Sequence, residues 1–123
     1  MDPAGSAEER IALVQRMWDA WRDKRMDDVV ATMQPDVVWR PITRPALSQY
    51  HGREGIREMR TDIERLRGSM HIEIDAVRCD SYGVVRSTGF IRFIGDEQLT
   101  PFEVRFTFRN GLISQADTIY GRE

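Results

Sequence analysis

The order of its secondary-structure signals is the feature that most constrains how this chain can fold. Residues 6–66 mostly carry the three- and four-residue spacing of helices, and residues 70–120 carry the alternation of strands joined by tight turns. The two halves meet at residues 50–56, Tyr-His-Gly-Arg-Glu-Gly-Ile. This order predicts one α+β domain over residues 1–123, with three N-terminal helices packed on a curved, mainly antiparallel sheet around a pocket.

The first helical segment has a well-marked start. Ser6 and Glu9 fit a capping box, in which the hydroxyl and the carboxylate each accept a backbone N–H. Further on, Asp27 is predicted to cap a short helix over residues 28–33, and Pro35 is predicted to end it. The apolar face of the first helix consists of Ile11, Val14, Met17, Trp18 and Trp21.

The third helix is predicted to begin after Gly52 and to stop at Gly68, where a glycine can take the left-handed conformation. Its apolar stripe is Ile56, Met59, Ile63 and Leu66. The charged residues between them are assigned to a solvated face, namely Arg57, Arg60, Glu64 and Arg65.

Four segments of the second half are predicted to form an antiparallel meander: residues 70–78, 84–94, 99–109 and 112–120. Asn110-Gly111 between the last two is a strong hairpin signal. Alternation along residues 99–109 places Phe102, Val104, Phe106 and Phe108 on one face. Alternation along residues 84–94 places Arg86, Thr88, Phe90 and Arg92 on one face, which is predicted to be the pocket side.

Composition excludes several classes of function. The net charge is -2 with both signs interspersed, which argues against a nucleic-acid surface or an anionic membrane surface as partner. No apolar run approaches ~18 residues, so no membrane partner is expected and the chain is predicted to be cytoplasmic. The single cysteine, Cys79, cannot form an internal disulfide and lies in a strand-like segment, so it is interpreted as a buried structural thiol.

Several segments of this chain resemble the SnoaL-like branch of the nuclear transport factor 2-like superfamily. They are residues 6–33, Val-Trp-Arg-Pro at 38–41, residues 50–57 and Phe-Thr-Phe-Arg-Asn-Gly-Leu-Ile at 106–113. The resemblance implies a cone-shaped fold with an interior pocket, and commonly a homodimer. It leaves function open, because this superfamily includes cyclases, isomerases, hydrolases and non-catalytic binding domains.

Two catalytic sets known from the superfamily are missing from this sequence. The ketosteroid isomerase positions hold Met17 for the tyrosine, Pro41 for the carboxylate base and Val104 or Glu103 for the neutral acid. The epoxide hydrolase-like positions hold Thr88, Phe90 and Thr118 in place of an arginine and two aspartates. The resemblance therefore does not extend to either reaction.

Three residues remain as catalytic candidates. His51 precedes the third helix and would reach the pocket mouth, or else serve as a surface or capping histidine. Arg86, if inward, would need an anionic ligand, and otherwise forms a salt bridge at the sheet edge. Asp117 faces the pocket only if the register differs by one residue. Two histidines and one cysteine give no metal-ligand spacing, so no metal and no cofactor is expected.

The leading hypothesis is a protein that binds a small hydrophobic molecule. Any reaction would then be proton transfer of the polyketide cyclase or isomerase type. This binding hypothesis fails if His51 and Arg86 both point to solvent and the pocket is collapsed. The rival is a non-catalytic dimerising or protein-binding module with a filled interior. The predicted ligand-binding residues are Met17, Trp21, Trp39, Tyr50, Thr88, Phe90, Phe106, Thr118 and Tyr120.

Overall fold

The computed structural model describes residues 6–41, 49–68, 70–93, 95 and 99–120. In this part of the chain, helices pack on one face of a six-stranded sheet with the strand order β2-β1-β6-β5-β4-β3. The predicted α+β architecture is confirmed. The elements are α1 (Ala7–Arg22), α2 (Met26–Ala31), β1 (Met33–Pro41), β2 (Tyr50–His51), α3 (Gly52–Arg67), β3 (Met70–Cys79), β4 (Val85–Phe93), β5 (Thr100–Arg109) and β6 (Leu112–Tyr120).

The predicted meander is present as β3 to β6, four strands that pair antiparallel in sequence order. At the last hairpin, Asn110 and Gly111 have φ angles of 54° and 82°. Two successive positive φ angles are what a type I′ turn requires, which explains the Asn-Gly pair. The sheet is mixed because β1 pairs parallel with β6 and antiparallel with β2.

The start of α1 follows the predicted capping box. Ser6 Oγ accepts from the backbone N–H of Glu9 at 3.1 Å, and Glu9 Oε1 accepts from the backbone N–H of Ser6 at 2.9 Å. These contacts satisfy two backbone donors and set the first turn. The buried side of this helix is Leu13, Val14, Met17, Trp18, Ala20 and Trp21.

The prediction for the second helix was wrong at both ends. α2 spans Met26–Ala31, and it follows Arg25, whose side chain makes no capping hydrogen bond. Asp27 lies inside its first turn. Pro35 does not end the helix but lies within β1, where the pairing with β6 shifts register between Met33 and Val38. Proline has no backbone N–H, so it fits in a strand where the ladder is interrupted.

A bulge bends the sheet where α1 crosses β3. The pairing of β3 with β4 shifts register between Ile74 and Ala76, which leaves Asp75 as the extra residue. Opposite this point, a Cβ on Gly89 would lie 2.0 Å from the backbone oxygen of Glu73. Glycine at this position therefore permits the close approach of the two strands that the bend requires.

The two faces of the sheet have different surroundings. The face toward α1 and α3, here called the inner face, carries the buried side chains of the core. The opposite face, here called the outer face, is covered by no other element in the described part of the chain. Among the described residues no helix combines the length and apolar character needed to cross a membrane.

Candidate functional site

A small cavity lies between the inner face of the sheet and helices α1 and α3. Its volume is about 30 Å³, which is room for roughly one or two water molecules. Pockets that hold small organic ligands measure about 300–1,000 Å³, so the interior is closed in this structure. Its walls are aromatic and aliphatic, formed by Trp18, Trp21, Trp39, Met59, Ile63, Met70, Ile72, Ile91, Phe102, Val104 and Thr118.

All three tryptophans of the chain line this cavity. Trp18 Nε1 donates to Ser87 Oγ at 3.0 Å, and Trp39 Nε1 donates to Thr118 Oγ1 at 2.7 Å. Trp21 is 4% exposed, and its Nε1 has no hydrogen-bond partner among the described residues. A buried donor left unpaired costs about 1–3 kcal/mol. Trp21 Nε1 is therefore a buried donor for which the described residues supply no acceptor.

Ring packing fixes the orientation of the cavity walls. Trp21 and Trp39 are stacked, with centroids 5.9 Å apart and planes at 28°. Trp18 and Phe106 each meet Trp39 edge-on, at 6.4 Å and 5.7 Å. These are the offset and edge-to-face arrangements that aromatic quadrupoles favour. The tryptophan rings therefore hold one another in place.

A buried arginine lies on the side of Trp21. The Arg60 guanidinium carbon is 4.9 Å from the centroid of the Trp21 ring, and Arg60 Nη1 donates to the Trp21 carbonyl oxygen. Arg60 Nε also donates to Glu64 Oε2 at 2.9 Å, and Lys24 Nζ lies 3.6 Å from the same oxygen. The Arg60 guanidinium lowers the pKa of the Glu64 carboxyl, with a smaller contribution from Lys24.

The structure brings three of the predicted ligand-binding residues together at the cavity: Trp21, Trp39 and Thr118. Met17 and Phe106 are fully buried in the surrounding core but do not line the cavity. The side chain of Tyr120 lies outside the described part of the structure, as does that of Leu66.

Tyr50 is buried away from the cavity. It is 2% exposed, and its hydroxyl donates to Asp62 Oδ2 at 2.8 Å. The other oxygen of Asp62 accepts from Arg65 Nη2 at 2.8 Å. The hydrogen bond from Tyr50 to Asp62 joins β2 to α3, and it satisfies a phenol that would otherwise be buried unpaired.

The face assignment for β4 was wrong by one residue. Val85, Ser87 and Ile91 point inward and are buried, whereas Arg86, Thr88 and Phe90 lie on the outer face. Phe90 is 37% exposed, and Thr88 donates to Asp75 on that face. A shift of one residue exchanges the two faces of a strand. Alternation misled here because this strand places a serine and a glycine inward and a phenylalanine outward.

None of the three catalytic candidates reaches the cavity. His51 is exposed at the start of α3, and its side chain makes no capping hydrogen bond. Arg86 is half exposed on the outer face, 4.0 Å from Asp80. Asp117 also lies on the outer face, where its Oδ1 accepts from Arg40 Nε at 2.7 Å. The predicted alternation that turned Asp117 away from the interior is confirmed.

Sequence reasoning missed Arg60 and Ser87. Arg60 was assigned to a solvated face but is 7% exposed. The signal was present, because Arg60 lies four residues after Ile56 and three before Ile63, within the apolar stripe of α3. Ser87 is fully buried and was missed because the face of β4 was assigned wrongly.

Cys79 is partly buried against the core, consistent with a structural thiol. No group of residues that could hold a metal ion is found among the described residues.

Helices packed over one face of a bent mixed sheet, with an aromatic cavity between helices and sheet, are the features of a cone-shaped α+β fold. A family model described as the SnoaL-like domain matches residues 14–116. The chain belongs to this family. No curated protein matches the chain well enough to count as a relative.

Solved structures support the same fold. TerC, co-crystallized with polyporic acid, is 18% identical with a TM-score of 0.81, and the match covers 91% of each chain. A nuclear transport factor 2-like protein of unknown function from Burkholderia pseudomallei is 16% identical with a TM-score of 0.79, covering 91% of this chain and 90% of that one. A Sinorhizobium meliloti protein provisionally named a polyketide cyclase is 19% identical with a TM-score of 0.72, covering 88% and 94%.

Proposed function

We propose that this chain binds a small, mainly apolar aromatic molecule in its interior cavity, with a ligand oxygen accepting a hydrogen bond from Trp21 Nε1. The single observation that supports this function is a buried indole N–H that has no partner among the described residues, on a tryptophan that lines a cavity walled by aromatic rings. A ligand acceptor would remove the cost of this unpaired donor. TerC, which shares the fold, was co-crystallized with polyporic acid.

Binding requires the cavity to expand. At about 30 Å³ it has room for water but not for an organic molecule. Two of the lining side chains are methionines, Met59 and Met70, whose unbranched thioether chains change conformation at low cost. In the proposed bound state these side chains and Ile63 move outward, while the stacked pair Trp21 and Trp39 keeps its position.

We propose binding alone, with no reaction catalysed by the described residues. Thr118 is the only hydroxyl among the described residues that line the cavity, and none of those residues is an acid or a base near neutral pH. His51 and Arg86 both lie outside it. A closed interior with both of these side chains facing solvent is the outcome that contradicts the leading hypothesis as the sequence analysis stated it. The binding proposed here differs from that hypothesis because it requires the cavity to expand, and cyclase-type proton transfer is not part of it.

Indole N–H resonances provide a direct test. The three tryptophans give three such signals in a ¹H–¹⁵N spectrum, and Trp21→Phe assigns the one from Trp21. Titration with 2-acetylnaphthalene should move the Trp21 signal downfield and leave those of Trp18 and Trp39 nearly unchanged, because their N–H groups already have partners. Naphthalene, which has no acceptor, is the matched control. Equal shifts at all three indoles, or none, would contradict the proposal.

The second candidate function is a dimerising accessory module, supported by the closed interior and the bare outer face. Phe90 and Pro101 are adjacent and exposed on that face. A cross-strand row on the same face, four residues away from Phe90 along β4, consists of Arg78, Arg86, Arg105, Asp117 and Arg40.

A second copy of the chain is the proposed occupant of the outer face. Arg78 has no ion-pair partner among the described residues, whereas Glu73 and Asp75 on the same strand are exposed carboxylates. A two-fold contact places the same surface of each copy against the other, so arginines and carboxylates of the two copies can pair. Sedimentation velocity should show a dimer that Phe90→Asp converts to monomer. A monomer at all concentrations for the unaltered chain would exclude this candidate.

A further inference from the structure

The charge around the cavity is unevenly distributed. No described residue that lines it carries a charge, yet a cation lies directly behind one wall, where Arg60 covers the ring of Trp21. Arg60 is 7% exposed, so water screens it little. The Trp21 end of the cavity therefore lies next to a poorly screened positive charge.

The neighbouring carboxylate does not cancel this charge completely. Glu64 pairs with Arg60 through Nε, but it is shared with Lys24 and its side chain is 31% exposed. Two cations thus contact one partly solvated carboxylate. The remaining positive potential acts at Trp21, whose buried N–H has no partner among the described residues.

The position of Arg60 also changes the donor strength of Trp21. A cation over an aromatic face draws electron density from the π system. Density drawn from the indole ring leaves its N–H more positive, and so a better donor. Hydrogen bonds to ionised acceptors are roughly twice as strong as neutral ones, so this arrangement rewards negative charge on the ligand oxygen.

From this geometry we infer that the ligand is an aromatic anion, a carboxylate or an ionised phenol or enol, whose charged oxygen accepts from Trp21 Nε1. Arg60 acts as a positioning and specificity-determining residue that does not contact the ligand. It fixes Trp21 through its carbonyl oxygen and ring face, and it selects the ionised form through its charge. The inference rests on the proposed binding function and extends it to the class of ligand.

Matched probes separate the charge from the shape of the ligand. At pH 7, 2-naphthoate is an anion, whereas 2-naphthamide has the same flat ring and a carbonyl acceptor but no charge. Benzoate and benzamide form a smaller pair. Dissociation constants measured by calorimetry should show the anion of each pair bound about ten-fold more tightly, because it combines a charge-assisted bond with the potential of Arg60.

Variants identify the source of the preference. Arg60→Gln should reduce the anion-to-amide affinity ratio several-fold, because it removes the potential of Arg60 and leaves only the charge-assisted bond, while it changes amide affinity less. Glu64→Gln leaves Arg60 in place and removes the opposing negative charge, so it should raise the anion-to-amide affinity ratio. This variant tests the inference even if Arg60→Gln does not fold. Arg57→Gln is the matched control, because Arg57 lies on the same helix but pairs with Asp27 at the surface. It should leave the ratio unchanged.

The outcomes distinguish this inference from the proposed function. If anion and amide bind equally, or if Arg60→Gln and Glu64→Gln both leave the ratio unchanged, the inference is wrong and the binding function stands. If none of the four probes binds and the Trp21 indole signal does not move, both are wrong, and a structural water is the partner of that N–H.

Discussion

The two faces of the sheet satisfy their polar groups in opposite ways. On the inner face, Ser87 and Thr118 each accept from one buried indole, and both side chains are themselves buried. On the outer face, Arg40 pairs with Asp117 at 2.7 Å while the two side chains remain 49% and 28% exposed. The inner hydrogen bonds are shielded from bulk solvent, whereas water competes with the outer ion pair for its charged groups.

This difference shows where stability and specificity reside in the molecule. A buried hydroxyl that caps an indole fixes the position of a large ring, and the rings define the cavity. An exposed ion pair contributes little to the folded state but leaves charge available to a partner. The inner face therefore builds the cavity of the proposed binding function, and the outer face carries charges that remain accessible to solvent.

The first prediction compares two phenylalanines on opposite faces. Phe106→Ala should lower the free energy of unfolding by about 3–5 kcal/mol, because Phe106 is fully buried and the lost ring leaves a cavity. Phe90→Ala removes the same atoms from an exposed site, where substitutions usually change stability by about 0.5 kcal/mol or less. Urea denaturation measures both. Similar losses for the two variants would show that the outer face is as well packed as the inner one.

The second prediction concerns two neighbours on β4. Ser87→Ala leaves the buried Trp18 N–H without its acceptor and should cost about 1–3 kcal/mol. Thr88→Val, one residue on, removes an exposed hydrogen bond to Asp75 and should cost about 0.5 kcal/mol or less. Denaturation gives the energies, and the indole signal of Trp18 should move in Ser87→Ala alone. A larger loss for Thr88→Val would reverse the assigned faces of this strand.

The fold was predictable from sequence because its signals are local. The capping box at Ser6, the Asn110-Gly111 turn and the alternation along β5 each depend on a few adjacent residues, and each is present in the structure. Where the prediction failed, a distant contact decided. Pro35 lies within β1 because that strand is held by β6, which is remote in sequence.

The site was less predictable, because the deciding contacts join residues far apart in the chain. Trp21 and Trp39, which were predicted to line a pocket, both line the cavity. The buried position of Arg60 depends on its contact with Trp21, 39 residues away in sequence. The face of β4 was ambiguous because an inward Ser87 is stabilised only by Trp18, which no pattern within the strand reveals.

The third prediction uses pH to examine the ion pair behind the inner face. The pKa of Glu64 is lowered from its ordinary value of 4.5, mainly by Arg60. Since the folded chain holds this carboxyl ionised more strongly than the unfolded chain, the pair stabilises the fold above pH 4.5. That stability is lost as the pH falls through the lower, folded-state value. Glu64→Gln should therefore lower the melting temperature at pH 7 and weaken its decline below pH 4.5.

Glu58→Gln is the control for this pH effect. Glu58 is exposed on the same helix and has no ion pair among the described residues, so its removal should leave the acid limb of the stability curve as it is. If Glu64→Gln and Glu58→Gln give the same curve, Glu64 is screened by solvent and contributes nothing to the charge balance at Trp21.

The last and smallest effect is expected on the outer face. A double-mutant cycle with Arg40→Gln and Asp117→Asn should give a coupling of about 0.2–1 kcal/mol at low protein concentration, the range of exposed ion pairs. The pair Arg22 and Asp19 on α1, 3.0 Å apart and 53% and 63% exposed, is the matched control and should couple equally weakly.

Repeating the cycle at high protein concentration then separates the two faces further. If a second copy covers the outer face, Arg40 and Asp117 lose water and their coupling should rise, since close charge pairs at interfaces reach about 1.5 kcal/mol or more. The coupling of Arg22 with Asp19 should stay constant, because helix α1 packs on the inner face. A coupling for Arg40 and Asp117 that is independent of concentration would mean that the outer face stays in solvent, and the accessory-module candidate would then lose its main support.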